Sequence, residues 1–277
     1  MMAAPPLASK GVVLCADDFA VHASASTGIA RLAALGRLSA TSAMVLSPRW
    51  AQDAPLLLAL RGQIDVGLHL DWTSEFAVAS GHGLSLRHAM LRAAWGGFAL
   101  DTARGVIERQ LDAFEAQWRA PPDHVDGHQH VQQFAGIRQA LAQTLVSRYG
   151  AAHGSAGAPP YLRISRAVPG TADLKSHVIA AMGADALEII ATQAGLTGSN
   201  ALSGIYDFAG DAVSYGTRMQ GWLRAAPARS IIMCHPALTA ERADPIGVAR
   251  AQEFAYLASP EFAATLAQAG VTLVRGR

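Results

Sequence analysis

Short apolar runs alternate with helix-like stretches along the chain, and this alternation constrains the fold more than any other feature of the sequence. The runs are rich in Val, Ile and Leu and have the length of buried parallel strands. They cover residues 11–16, 41–46, 64–70, 124–131, 161–165, 204–208, 230–234 and 271–274. Strands that alternate with helices predict crossover connections and a parallel sheet, and about eight of them favour a (β/α) barrel over a doubly wound open sheet.

Helical periodicity between the runs supports this α/β class. It is clearest over 101–119, where one apolar stripe is separate from the charged side chains. The stripe consists of Val106, Ile107, Leu111, Phe114 and Trp118. Further helices are predicted over 26–35, 136–147, 171–193, 212–223 and 247–268, the last interrupted at Pro260. Residues 71–100 break the rhythm, and their Gly, His and Trp content predicts a long loop that could act as a lid.

Length and composition narrow the class of protein. The 277 residues suit one barrel, so we expect a single domain over 1–277 whose residues 1–10 form an N-terminal tail. A net charge of +1 argues against nucleic acid as the main partner. We find neither a signal peptide nor the roughly 18 uncharged apolar residues of a membrane span, and expect a cytoplasmic location. Cys15 and Cys234 lie in apolar runs and are predicted to be buried, inert thiols.

Polar side chains follow several predicted strands at their carboxyl ends, where parallel α/β folds place active groups. Asp17 and Asp18 come directly after the first run, and a metal or a shared proton would relieve the repulsion between two adjacent carboxylates. A helix N-cap is the alternative for this pair. His69 and His235 end the third and seventh runs. A metal ligand and a general acid are the functional interpretations of these histidines, and buried structural histidines are the alternative.

The fourth run carries the strongest local signal. Alternate residues of an extended strand share one face, so His124, Asp126, His128 and His130 are predicted to point the same way. Three imidazoles and a carboxylate form a metal-binding edge in which Asp126 orients an imidazole, and an exposed polar edge strand is the alternative. The histidines expected to be structural or at the surface are His22, His82, His88, His153 and His177.

Four motifs in this order resemble the YdjC-like carbohydrate deacetylase family. They read ADDF at 16–19, GLHL at 67–70, DGHQH at 126–130 and MCHP at 233–236, and the resemblance extends over nearly the whole chain. It implies a distorted (β/α) barrel with seven or eight parallel strands, a divalent metal ion, and hydrolysis of the N-acetyl group of an amino sugar with release of acetate. The family usually has Gly after its Asp-Asp-Phe motif, where this chain has Ala20.

The resemblance also implies roles for individual residues. By motif, Asp18, His69 and His128 are the metal ligands, Asp17 is the general base and His235 is the general acid. Arg163 falls where the family often has a basic residue near the site. Apart from the resemblance, substrate binding is also assigned to His130, Asp126, Trp72 and Tyr206. Trp72, Tyr206, Trp95 and Trp222 are candidates for stacking on sugar rings, and a position in the core or the lid is the alternative for each of them.

The expected cofactor is a divalent ion, left open among magnesium, zinc, cobalt, nickel and manganese. The expected partner is an N-acetylated sugar, glycan or glycolipid, and a homodimer is left open. A different divalent-metal barrel hydrolase, such as an amidohydrolase or phosphoesterase, would show a close His-x-His after the first strand, where this chain has Asp17 and Asp18. A non-catalytic sugar-binding relative would not need Asp17 and His235 together.

Overall fold

Eight parallel strands form the centre of the structure, a computed structural model that describes residues 10–150, 158–168 and 173–276. The strands are β1 Lys10–Phe19, β2 Ala40–Ala43, β3 Asp65–Leu70, β4 His124–Gly127, β5 Tyr161–Leu162, β6 Leu202–Ser203, β7 Ile231–Cys234 and β8 Val271–Leu273. Their order is β5-β4-β3-β2-β1-β7-β6, and β8 pairs with the beginning of β1. Among the described residues, isolated bridges join Leu162 of β5 to Gly198 and Ala167 to Leu202 of β6, and the sheet curls into a distorted barrel, as predicted.

Helices surround this sheet and cover its outer face. They are α1 Ala23–Ala34, α2 Trp50–Leu58, α3 Glu75–Ala79, α4 Leu86–Ala94, α5 Leu100–Trp118, α6 Ile137–Tyr149, α7 Leu174–Ala181, α8 Ala184–Gln193, α9 Ala212–Ala225, α10 Gly247–Ala258 and α11 Pro260–Ala269. The predicted stripe of α5 is buried, and Phe114 stacks on Trp50 of α2 with ring centroids 5.6 Å apart. None of the helices in the described part of the chain is long and apolar enough to cross a membrane, and the cytoplasmic location stays a prediction.

Several predicted boundaries are wrong. The predicted helix over 171–193 is two helices in its described part, since Gly183 adopts φ 133° between α7 and α8. The sixth strand lies just before the predicted run 204–208, because Gly204 and Phe208 adopt positive φ angles and leave the extended conformation. Helix α2 was not predicted. Lys10 belongs to β1 instead of the tail, and the rest of that tail, like His153, lies outside the described residues.

The stretch 71–100 is not the irregular loop that its composition predicts. It contains α3 and α4, whose N-caps Ser74 and Ser85 accept hydrogen bonds from backbone N–H groups of the first turn. Its end is attached to the barrel rim, where Phe98 N donates to Ala135 O at 2.9 Å. The two serine caps were the available signal. Movement of this segment as a lid stays a prediction.

The fourth strand is shorter than predicted. Residues His128–Gln133 form a 3₁₀ segment, and Gln129 and His130 adopt the left-handed backbone region with φ 54° and 62°. Alternation therefore holds for His124 and Asp126, which both lie inside the barrel, but the predicted common face does not include His128 and His130. Residues in this sparsely populated backbone region cost of order 1–3 kcal/mol each and cluster at functional sites.

Candidate functional site

The carboxyl ends of β1, β3, β4 and β7 meet at one rim of the barrel. Asp18, at the end of β1, lies within 4.8 Å of His69 at the end of β3 and of His128 directly after β4, measured between potential ligand atoms. His235 follows β7, and it lies near enough to Asp17 and Asp18 for their carboxylates to act on its pKa. The structure thus brings together the five residues that the sequence places at one end of the sheet.

A β-bulge explains how two adjacent carboxylates both reach this site. Along β1, Val13, Cys15 and Asp17 alternate onto the inner face of the barrel, and Asp18 would point outward in a regular strand. The register between β1 and β2 shifts between Ala16 and Phe19, and Asp18 adopts φ 65°. The bulge redirects Asp18 towards the rim.

The turn after the bulge also leaves the ordinary backbone regions. Ala20 has φ 74°, a conformation that favours glycine, so the departure from the family motif falls at a position with a real conformational demand. The same segment does not provide an aspartate N-cap. Helix α1 is capped by the imidazole of His22, which accepts a hydrogen bond from Ala25 N.

Asp18, His69 and His128 have the geometry of a divalent cation site. Asp18 Oδ1 is 3.3 Å from His69 Nε2 and 3.1 Å from His128 Nδ1. His69 donates its other ring N–H to Asp126 Oδ1 at 2.6 Å, the arrangement that orients ligating histidines in metal sites. One carboxylate oxygen and two imidazole nitrogens suit zinc or another first-row divalent ion. These residues fit the metal that the family resemblance implies.

Two overlapping groups of potential ligands lie deeper in the barrel: Cys15, His124 and Asp126, and Asp17, His69 and Asp126. The guanidinium of Arg163 already pairs with members of both groups. Arg163 Nη2 is 3.2 Å from Cys15 Sγ, 2.6 Å from Asp17 Oδ1 and 2.5 Å from Asp126 Oδ2. The Asp18 group, nearer the surface, is the better candidate.

Electrostatics at the rim depend on these buried pairs. Burial alone would lower the pKa of His69, but the Asp126 carboxylate and its hydrogen bond raise that pKa to about 10, so a metal that binds Nε2 must displace a proton. Burial alone would raise the pKa of Asp17, but the Arg163 guanidinium lowers it below its ordinary value. Asp17 is therefore ionised at neutral pH.

The surroundings of His235 differ from those of the other histidines. Burial lowers its pKa to about 4 and outweighs the opposite effect of the Asp17 and Asp18 carboxylates, while Arg250 and His69 lower it to a smaller extent. Its Nδ1 is buried and has no hydrogen-bond partner among the described residues, and Phe208 packs edge-on against the ring at a centroid distance of 5.2 Å. His235 is a neutral imidazole with a free ring nitrogen at the rim.

The five residues predicted to bind substrate are mostly engaged in other contacts. Arg163 and Asp126 are completely buried and bind each other. Trp72 is buried against His82 and Phe98, Tyr206 donates to Glu253 Oε1 at 2.7 Å, and His130 Nδ1 is 3.1 Å from Ser165 Oγ. Substrate contact stays a prediction for all five, and their burial disfavours it. Of the other two aromatic candidates, Trp222 is buried and Trp95 is 82% exposed.

Sequence reasoning missed two charged residues beside the site, Arg250 and Glu253 of α10. Both are buried, and they share the inner face of the helix with Leu257 at spacings of three and four residues. The signal was their position in line with Leu257, where an apolar residue is expected. Cys15 and Cys234 are buried and free, as predicted.

Comparison with known proteins supports one family. The sequence model of the YdjC-like protein family matches residues 11–268. The chain is 30% identical over 146 residues to a mouse carbohydrate deacetylase, covering 48% of this chain and 46% of that protein. It is 30% identical over 128 residues to a chitooligosaccharide deacetylase of Serratia marcescens, covering 44% of this chain and 50% of that protein. The chain thus matches about half the length of these curated relatives.

A solved structure shares the fold over almost the whole length. It comes from Enterococcus faecalis V583 and is designated a candidate cellobiose-phosphate cleavage protein. The TM-score is 0.69, with 17% identity and coverage of 97% of this chain and 98% of the other. At this identity the likeness concerns the fold alone.

Proposed function

Because the chain belongs to the YdjC-like family, we propose that it is a divalent-metal-dependent hydrolase that removes the N-acetyl group from an amino sugar and releases acetate. The observation that carries the proposal is the group of Asp18, His69 and His128, with Asp17 and His235 beside it at one rim. The deacetylase names of the mouse and Serratia relatives support the same reaction and a carbohydrate substrate.

A divalent ion held by Asp18, His69 and His128 would polarise the acetyl carbonyl and lower the pKa of water. Asp17 supplies the base. Its carboxylate is ionised, and Arg163 donates to both of its oxygens, from Nη1 at 2.7 Å and from Nη2 at 2.6 Å. This bidentate pair fixes the orientation of the carboxylate, so that it accepts the proton of the attacking water without turning.

His235 completes the proton transfer on the leaving-group side. An amine is a poor leaving group unless it is protonated, so the reaction needs an acid near the sugar nitrogen. His235 is neutral at rest, because its pKa is about 4 through burial. As negative charge develops on the substrate oxygen, His235 takes up a proton from solvent water at its free ring nitrogen and gives one proton to the departing nitrogen, so that it ends the step as a neutral imidazole. Asp17 then returns to solvent the proton that it took from the attacking water.

Acetate release from a panel of N-acetylated mono- and oligosaccharides tests the proposal. We expect turnover with added Zn²⁺, Co²⁺ or Mn²⁺ and none after treatment with a chelator. The variant Asp18→Asn should lose turnover and metal binding together, whereas the control Asp185→Asn, at a site where the side chain is 84% exposed, should retain both. Acetate release that persists without metal, or phosphate release from a phosphorylated sugar instead of acetate release, would contradict the proposal.

A further inference from the structure

Arg250 connects three parts of the site through one buried guanidinium. The residue is 3% exposed on α10. Its Nη2 donates to Asp18 Oδ2 at 2.7 Å, its Nε donates to Asp244 Oδ2 at 2.5 Å, and its Nη1 donates to the backbone oxygen of His235 at 3.3 Å. A side chain from a C-terminal helix thus contacts both a candidate metal ligand and the backbone of the candidate acid.

Because of the contact with Arg250, the two carboxylate oxygens of Asp18 have different partners. Oδ2 accepts from Arg250, and Oδ1 lies 3.3 Å from His69 Nε2 and 3.1 Å from His128 Nδ1. A carboxylate held in this way offers one oxygen to an ion at the rim. If it were free to turn, it could offer both oxygens, as carboxylates commonly do to Ca²⁺.

Helix α10 also contacts the backbone of the candidate acid, His235. Glu253, one turn after Arg250, accepts a hydrogen bond from His235 N at 2.5 Å, while Arg250 donates to His235 O. Helix α10 therefore holds the backbone of His235 on both sides. Because Arg250 also contacts Asp18, this helix links the position of His235 to that of Asp18.

We propose that Arg250 is a positioning residue that leaves Asp18 one oxygen to bind an ion and holds that oxygen in a fixed position relative to His235. A site built in this way favours small ions of low coordination number over Ca²⁺. The inference rests on the proposed function, since it concerns the ion held by Asp18, His69 and His128. The charge of Arg250 acts equally on any two divalent ions, so the ratio of their affinities isolates its geometric effect.

The test measures the dissociation constants of Zn²⁺ and Ca²⁺ by calorimetry for the full-length wild type and for Arg250→Met. We expect the preference for Zn²⁺ over Ca²⁺ to fall by about ten-fold or more in the variant, the size typical for loss of a group that orients a ligand. At saturating Zn²⁺, kcat should also fall while KM stays close to that of the wild type, because His235 loses its backbone restraint.

A second variant covers the case in which Arg250→Met does not fold. Asp244→Asn weakens the hold on Nε while the guanidinium keeps its charge, and it should shift the ion preference in the same direction by a smaller factor. An unchanged Zn²⁺ to Ca²⁺ ratio in a folded variant, with wild-type Zn²⁺ binding intact, would overturn the inference and leave the proposed function standing. A wild type that binds neither ion would contradict both.

Discussion

Replacing Arg163 with Met should destabilise the protein far more than the same replacement at Arg166, three residues further along the chain. Arg163 is fully buried and pairs with Asp17 and Asp126 at 2.6 and 2.5 Å. Arg166 is 38% exposed and pairs with two exposed carboxylates, Glu188 at 3.0 Å and Asp185 at 3.1 Å. The two substitutions therefore remove the same type of side chain from a buried site and from an exposed site.

The expected magnitudes follow from this difference. Removing one partner of a buried pair costs about 3–5 kcal/mol, because it leaves uncompensated charge in the interior. Loss of a surface pair costs about 0–1 kcal/mol. The deficit of Arg163→Met should shrink at lower pH, since Asp17 and Asp126 without their cation become protonated more readily in the folded state.

Urea unfolding of metal-free protein, followed by circular dichroism at pH 5.5 and pH 7.5, measures both effects. Similar losses for the Arg163 and Arg166 variants would refute the view that Arg163 is a buried structural cation beneath the site. So would a fully stable Arg163→Met that loses only substrate affinity, because that result is expected of a residue that contacts the sugar.

Three further predictions concern the rim and the barrel interior. Burial raises the pKa of Glu253 to about 7, so the folded state holds its proton more tightly than the unfolded chain. Stability should therefore fall by about 3 kcal/mol as pH rises from about 4.5 to about 7, and urea unfolding of Glu253→Gln should lack this slope. His235→Ala should bind metal as the wild type does while kcat falls by on the order of 10²–10⁴ in an acetate-release assay; normal turnover would remove His235 from the mechanism. A Cβ added at Gly67 would lie 2.3 Å from His124 Nε2, so Gly67→Ala should displace β3 and weaken Zn²⁺ binding at His69, and an unchanged calorimetric affinity would argue against this.

The sequence predicts the barrel and much of the rim for a clear physical reason. Parallel strands are buried on both faces, so they are continuous apolar runs, and a polar residue that interrupts a run at its carboxyl end is conspicuous. Asp17, His69 and His235 are found in this way. Their grouping follows because the carboxyl ends of parallel strands meet at one rim.

The features that the sequence does not reveal depend on backbone angles and on long-range contacts. Alternation fails after Gly127 because Gln129 and His130 adopt positive φ, which neither residue type signals. The bulge at Asp18 is hidden for the same reason. Arg250 contacts Asp18 across 232 positions of the chain, a pairing that only the folded helix α10 creates.

Crystals grown with Zn²⁺ and measured at its absorption edge test the central claim most directly. We predict one anomalous scatterer bonded to Asp18 Oδ1, His69 Nε2 and His128 at about 2.0–2.2 Å, and its absence in Asp18→Asn. An ion bound instead among Cys15, His124 and Asp126, or no ordered ion at the rim at any Zn²⁺ concentration, would contradict the account.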